Sequence, residues 1–189
     1  MKTRNQLCQS LSYAQIRPDT LTQVRFDLHH AEFSLLFEDY DPNKILKNGS
    51  YLSQLERVLK VFKPALPSPY KKITKAVFLS ARYLSSFETY DDFVVKVKEE
   101  TKDERSRYLF LERFHVSSHL SSMYFNRACK FFQETSILDV PFLDKETKEK
   151  ARSYFSLPDD NEKLFFALLH QAKKENISCK ERQDKLRKR

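Results

Sequence analysis

Glycine is almost absent from this chain of 189 residues, which contains a single glycine, Gly49, and no tryptophan. Phosphate-binding loops and tight β-hairpins need several glycines, because their backbones adopt positive φ angles or approach a ligand closely. The composition therefore excludes the G-x-G-x-x-G and G-x-x-x-x-G-K motifs. It predicts instead an all-α fold, a multi-helix domain whose core is supplied by sixteen Phe and nine Tyr.

Long apolar segments are also lacking. No run approaches the roughly 20 residues that cross a bilayer, and the first residues lack the apolar core of a signal peptide. Cys8, Cys129 and Cys179 are widely separated and odd in number, which favours reduced thiols over a disulfide framework or a zinc site. We therefore expect an intracellular protein, cytoplasmic or nuclear, with no membrane partner, no metal and no other cofactor.

Positive charge is what the chain has in excess. Its 34 Lys and Arg exceed its 26 Asp and Glu, which gives a formal net charge of +8. This balance favours a polyanionic partner such as nucleic acid, although a helical domain with a basic solvated face has the same composition. Three groups of basic residues are candidates for phosphate contact: Lys71, Lys72, Lys75 and Arg82; Arg127 and Lys130; and a C-terminal cluster of Lys180, Arg182, Lys185, Arg187, Lys188 and Arg189.

Proline divides the chain into regions. Pro64, Pro67 and Pro69 interrupt the helical periodicity, because proline lacks the backbone N–H that a helix interior uses. We expect an N-terminal helical region over 1–63, a Pro-rich connection over 64–70, a core over 71–178 and a basic C-terminal tail over 179–189.

Helical spacing and capping residues predict several elements. Apolar residues at 24, 28, 31 and 35 favour one helix over 21–37. Thr89 and Asp92 have the spacing of a capping box. Asp160 follows a turn and is placed to cap the next helix.

Seven short stretches follow one another in an order typical of a known superfamily: 78–84, 87–93, an apolar hairpin over 120–132, then 139–141, 157–160, 175–178 and 184–186. Their order and spacing resemble the helix-hairpin-helix DNA glycosylase superfamily, near its 8-oxoguanine DNA glycosylase-like members. The resemblance covers somewhat over half of the chain. It implies a helix-hairpin-helix core, duplex DNA as the partner, and DNA repair by base excision as a hypothesis.

The hairpin turn is the part that would contact DNA. In the family this turn reads Gly-hydrophobic-Gly, so that backbone N–H groups approach a phosphate. Both glycines are replaced here, which leaves the hydroxyl groups of serine and tyrosine as substitute donors. The resemblance implies the following DNA-binding residues: Ser122, Met123, Tyr124, Asn126, Arg127 and Lys130.

Asp139 matches the catalytic aspartate of the family, although it stands in Asp-Val-Pro where relatives have Asp-Val-His or Asp-Thr-His. Its implied role is to stabilise positive charge on the sugar or to orient the attacking water. Asn126 stands where bifunctional members have a nucleophilic lysine, and an amide has no basic nitrogen. The resemblance thus implies either monofunctional hydrolysis or a catalytically silent DNA-binding relative. Asp139 has an alternative role as a cap before Pro141.

Other features favour ordinary structural roles. His115 and His119 are four residues apart, but no further zinc ligands lie near them in the sequence. Tyr83, Tyr124 and Phe125 are candidates for stacking on a displaced base, with burial in the core as the alternative. A helical protein-interaction module, with a basic face and no catalysis, is the alternative function for the whole chain.

Overall fold

The computed structural model describes residues 3–113, 140, 141 and 143–188, and within these ranges it contains helices and no strand. The α-helices are α1 (Arg4–Ala14), α2 (Pro18–Gln23), α3 (His30–Leu36), α4 (Pro42–Lys47), α5 (Tyr51–Phe62), α6 (Ser68–Leu84), α7 (Tyr90–Glu100), α8 (Glu104–Arg113), α9 (Lys145–Phe155), α10 (Asn161–Glu175) and α11 (Cys179–Arg187). A short 3₁₀ turn, Glu38–Tyr40, precedes α4. The predicted all-α class is confirmed, whereas the helix-hairpin-helix core stays a prediction because residues 120–132 lie outside the described ranges.

Helix α6 organises the first half of the chain. It spans 17 residues, and α1, α4 and α5 all pack against it. Its buried side includes Ala76, Ser80 and Ala81, small residues that allow the backbone of a neighbouring helix to approach closely. Arg4 of α1 donates to the carbonyl of Leu84 at 2.8 Å, which ties α1 to the C-terminal end of α6.

The predicted single helix over 21–37 is wrong. Two helices, α2 and α3, replace it, and residues 24–29 form turns between them. Arg25 has a φ of +49°, in the left-handed region that interrupts a right-handed helix. The turn carries Phe26 onto Tyr13 of α1, with ring centroids 4.4 Å apart. Burial of this aromatic side chain outweighs the local preference for a continuous helix.

The break also changes which residues of this segment are buried. Phe33 and Phe37 face the core, at 0% and 1% exposure. Leu28 and Leu35, which the helical spacing had placed on one apolar face, are instead 74% and 77% exposed. Of the predicted apolar face, Val24 is therefore buried while Ala31, Leu28 and Leu35 are exposed to solvent, and the phenylalanines are buried in the core instead.

The predicted caps are confirmed. Thr89 accepts from the N–H of Asp92 at 3.1 Å while Asp92 accepts from the N–H of Thr89 at 2.9 Å, so both halves of a capping box are present at α7. Asp160 accepts from the N–H of Lys163 at 3.1 Å at the start of α10. Gly49 has a φ of +124° directly before α5, a conformation that residues with a Cβ rarely adopt.

The C-terminal helices α9, α10 and α11 pack against one another. Helix α11 buries Cys179, Arg182, Gln183 and Leu186, so residues 179–187 belong to the packed structure. Across 64–70, the rings of Phe62 and Tyr70 lie 5.1 Å apart, and α5 packs on α6. The boundaries of the four predicted regions stay predictions.

Within the described ranges, no helix combines the length and apolar character needed to cross a membrane.

Candidate nucleic-acid interface

The residues that the family resemblance singles out lie outside the described part of the chain. This holds for the implied catalytic Asp139 and for the implied DNA-binding set of Ser122, Met123, Tyr124, Asn126, Arg127 and Lys130. It also holds for His115 and His119. Their roles stay predictions, and the candidate interface consists of other residues.

The net charge of the chain is concentrated in one segment. Residues 42–87 contain nine Lys and Arg but one acidic residue, Glu56, so their formal charge of +8 equals that of the whole protein. The remaining residues together are formally neutral. The segment consists of α4, α5 and α6 with their connections, and the three helices pack together. A single compact unit of the fold therefore carries the full positive charge, and we call residues 42–87 the cationic unit.

The solvent-facing side of α6 carries most of the charge that the sequence had singled out. Lys71, Lys75 and Arg82 are exposed at helical spacings of four and seven residues, which places them on one face with the exposed Lys72. Helix α6 contains no acidic residue. Within the described ranges, none of these four side chains has a carboxylate within 4.0 Å. Lys71, Lys72, Lys75 and Arg82 define the α6 face.

Further cations of the cationic unit lie beside the α6 face. Phe62 packs on Tyr70, which brings their sequence neighbours Lys63 and Lys71 to the same end of the α5–α6 pair. The hydroxyl of Tyr51 donates to the carbonyl of Lys71 at 3.5 Å and holds α5 along this stretch of α6. Four exposed lysines of the unit were not among the sequence candidates, although a charge count by segment would have found them: Lys44, Lys47, Lys60 and Lys63.

The C-terminal basic cluster is different, because three of its side chains have carboxylate partners. Arg182 is 1% exposed and its Nε lies 3.6 Å from Glu175 Oε1. Lys185 Nζ lies 3.8 Å from the other oxygen of Glu175, and Arg187 pairs with Asp144 of the α9 cap. Much of the positive charge predicted for phosphate contact in this cluster is therefore neutralised within the protein.

Tyr83, a candidate for base stacking, lies in an aromatic cluster. Its ring is 5.3 Å from that of Phe87 and 6.4 Å from those of Phe93 and Phe110, and the guanidinium of Arg113 lies 5.8 Å from its centroid. Burial raises the pKa of the Tyr83 phenol above its ordinary value. These contacts favour the core role over the stacking role.

Among the described residues, no group of three or more His, Cys, Asp or Glu side chains could hold a metal ion. The burial of Cys8 raises the pKa of its thiol to about 12, so this cysteine is neither a reactive thiolate nor a ready metal ligand. Comparison of the chain with protein-family models, curated proteins and solved structures found no match.

Proposed function

We propose that this protein binds the phosphate backbone of duplex DNA through the α6 face. The observation that carries the proposal is the set of four exposed cations on one helix without a carboxylate partner in the described ranges: Lys71, Lys72, Lys75 and Arg82. They lie in the unit that holds the entire net charge of the chain. Unpaired cations of this kind bind a polyanion by releasing its condensed counterions, without the desolvation of an internal ion pair.

The shape of the array fits a duplex. From residue 71 to residue 82 the helix rises about 16 Å, at about 1.5 Å per residue. A DNA duplex presents about one negative charge per 1.7 Å of its axis, so a straight row of cations meets several phosphates at once. Lysine and arginine at such positions contact phosphate regardless of sequence. We therefore expect binding with little base preference from this face alone.

Binding to labelled duplex DNA across a salt series tests the proposal. Four phosphate contacts predict a slope of log affinity against log salt of about −3.6, at about −0.9 per contact. The paired substitution Lys71→Gln with Lys75→Gln should reduce the steepness of this slope by about 1.8 and weaken binding at low salt. Lys98→Gln with Lys102→Gln removes two exposed lysines, also four residues apart, that lie outside the three candidate groups. This pair is the matched control, for which we expect a smaller change.

Two results would contradict the proposal. Absence of DNA binding at low salt would leave the alternative of a helical protein-interaction module. Equal loss of affinity in the test and control pairs would show that the α6 face has no special part in binding.

Base excision is a separate hypothesis that rests on Asp139. Suppose that the protein releases damaged bases from duplexes, and that Asp139→Asn abolishes this release while DNA binding is retained. The protein would then be a monofunctional glycosylase. Binding without release would make it a catalytically silent DNA-binding protein. The assay uses the full chain, so that both outcomes are read on the same preparation as the salt series.

A further inference from the structure

An exposed apolar surface flanked by acidic residues lies on α3 and the turn before it. Leu28, in the turn, and Leu35, on α3, are 74% and 77% exposed. Asp27 and Glu32 are exposed next to them. Asp27 has no ion pair within the described ranges, and Glu32 lies 3.6 Å from His29 of its own segment. These four residues form an apolar surface with a negative border, which we call the acidic side.

The charge around the acidic side is a property of the whole segment. Residues 19–41 contain six Asp and Glu but one basic residue, Arg25, apart from two histidines. They directly precede the cationic unit, which has nine Lys and Arg and one Glu. The chain thus carries two adjacent segments of strongly opposite charge.

A second exposed apolar surface, flanked by lysines, lies at the end of α5. Val61 is 53% exposed, and Leu66 in the following connection is 75% exposed. Lys60 and Lys63 are exposed beside them, with no carboxylate within 4.0 Å in the described ranges. These four residues form the basic side.

The two sides are neighbours in the fold. The ring of His29 lies 5.3 Å from that of Phe62, and Phe33 of α3 lies 4.7 Å from Phe62. Phe33 also stacks on Tyr70 at the start of α6, with centroids 6.3 Å apart. One aromatic cluster therefore supports both α3 and the end of α5, and the acidic and basic sides lie above it next to each other.

We propose that this surface binds a second copy of the chain in a twofold dimer. In such a dimer the acidic side of each protomer covers the basic side of the other, so that both contacts form at once. The exposed leucines and the valine are then buried in the interface, and each pair of carboxylates meets a pair of lysines. A second copy fits better than an unrelated partner, because it supplies the complement of both sides.

The dimer and DNA-binding proposals are tested on different residues, although Lys63 of the basic side lies at the same end of the α5–α6 pair as Lys71. Lys71, Lys72, Lys75 and Arg82 of the α6 face belong to neither side. Self-association is measured without DNA, so either proposal can fail while the other holds.

Sedimentation velocity of the full chain over a range of concentrations tests the dimer. We expect a shift from monomer to dimer with rising concentration, and a weaker dimer at high salt because the flanking charges are exposed. Two charge-reversed proteins sharpen the test. One carries Asp27→Lys with Glu32→Lys, and the other carries Lys60→Glu with Lys63→Glu.

In a homodimer of either charge-reversed protein, like charges face each other at both contacts. We therefore expect its dimer dissociation constant to rise roughly tenfold or more. Mixing the two proteins restores opposite charges at both contacts of a heterodimer. We therefore expect the mixture to dimerise where neither component does. A folding defect in either protein would not be repaired by mixing, so this result separates an interface from a structural effect.

The apolar part of the interface has its own control. Leu35→Ser should abolish dimer formation. Val95→Ser changes a valine of α7 that is 57% exposed, and it should leave dimer formation unchanged. Three results would overturn the proposal: a monomer at all concentrations at low salt, failure of the mixture to dimerise, or a dimer that persists in Leu35→Ser.

Discussion

The cationic unit and the C-terminal unit over 143–188 are both basic and helical, but they differ in how many of their cations have a carboxylate partner. The cationic unit has nine Lys and Arg against one acidic residue, and Arg57, paired with Glu38, is its one cation with a carboxylate partner in the described ranges. The C-terminal unit has twelve Lys and Arg against nine Asp and Glu. There, Arg152, Lys163 and Lys185 lie within 3.8 Å of carboxylates.

This difference shows where positive charge is available for a partner. Several cations of the C-terminal unit pair with carboxylates of the same unit, as Arg187 does with Asp144 of the α9 cap. Cations of the α6 face have no carboxylate partner within the described ranges, and like charges four residues apart on a helix repel each other. Side chains that lower the stability of the folded protein, as these do by mutual repulsion, are typical of a functional site. We therefore place the candidate interface on α6 and not on the C-terminal tail.

The largest expected effect is the loss of the buried cation of the C-terminal unit. Arg182 lies 3.6 Å from Glu175, and its guanidinium stacks 4.6 Å from the ring centroid of Tyr154. Arg182→Ala should lower the free energy of unfolding by about 3 kcal/mol, because it leaves a cavity in place of a large buried side chain and removes its contacts with Glu175 and Tyr154. Urea unfolding measures this change. Lys180→Ala, at an exposed position on the same helix, should change stability by less than about 0.5 kcal/mol.

Arg182→Met further separates packing from charge. Its side chain fills much of the same space without a buried charge, and we expect a smaller loss than for alanine. Equal small effects for Arg182→Ala and Lys180→Ala would show that the C-terminal cations are as dispensable to folding as surface lysines, and the comparison between the two units would fail.

An intermediate effect is expected for the ion-pair group between α8 and α10. Glu104 pairs with Lys173 and lies 2.9 Å from His170 Nε2, and the hydrogen bonds from Lys173 and from His170 hold the pKa of its carboxyl below the ordinary value. A lowered folded-state pKa stabilises the protein above the unfolded pKa of about 4.3, and this stabilisation is lost as the pH falls through the folded pKa. Glu104→Gln should therefore cost about 0.5–1 kcal/mol at neutral pH and almost nothing in strong acid.

Unfolding curves at several pH values check this prediction. Glu56→Gln removes the one carboxylate of the cationic unit, which has no ion pair in the described ranges, and it serves as the control. A stability difference for Glu104→Gln that stays constant down to acid pH would show that its contacts with His170 and Lys173 contribute nothing through charge.

The smallest expected effects are two stability changes of opposite sign, one in each unit. Lys75→Gln removes repulsion with Lys71 on the α6 face and should raise stability by about 0.3 kcal/mol. Lys185→Gln removes a partner of Glu175 and should lower stability by about 0.5 kcal/mol. Chemical denaturation of the two variants beside the parent protein measures both. Changes of the same sign in both variants would contradict the assignment of unpaired and paired cations to the two units.

Part of the candidate interface was visible in the sequence. Lys71, Lys72, Lys75 and Arg82 stand out because their helical spacing is local and their chemistry needs no partner. The sequence overestimated how much charge of the C-terminal cluster is available for phosphate. Arg187 and its partner Asp144 are 43 residues apart, and no local pattern in the sequence indicates their contact. The hairpin residues and Asp139 stay predictions.

Local chemistry alone determined the helical class, the caps at Thr89 and Asp160 and the concentration of positive charge in one segment. Each of these depends on the side chains themselves or on neighbours a few residues away. The tertiary structure decided which cations stay unpaired, and it decided that Phe33 and not Leu35 faces the core. Ion pairing and burial depend on distances between residues remote in sequence, so only the packed helices could determine them.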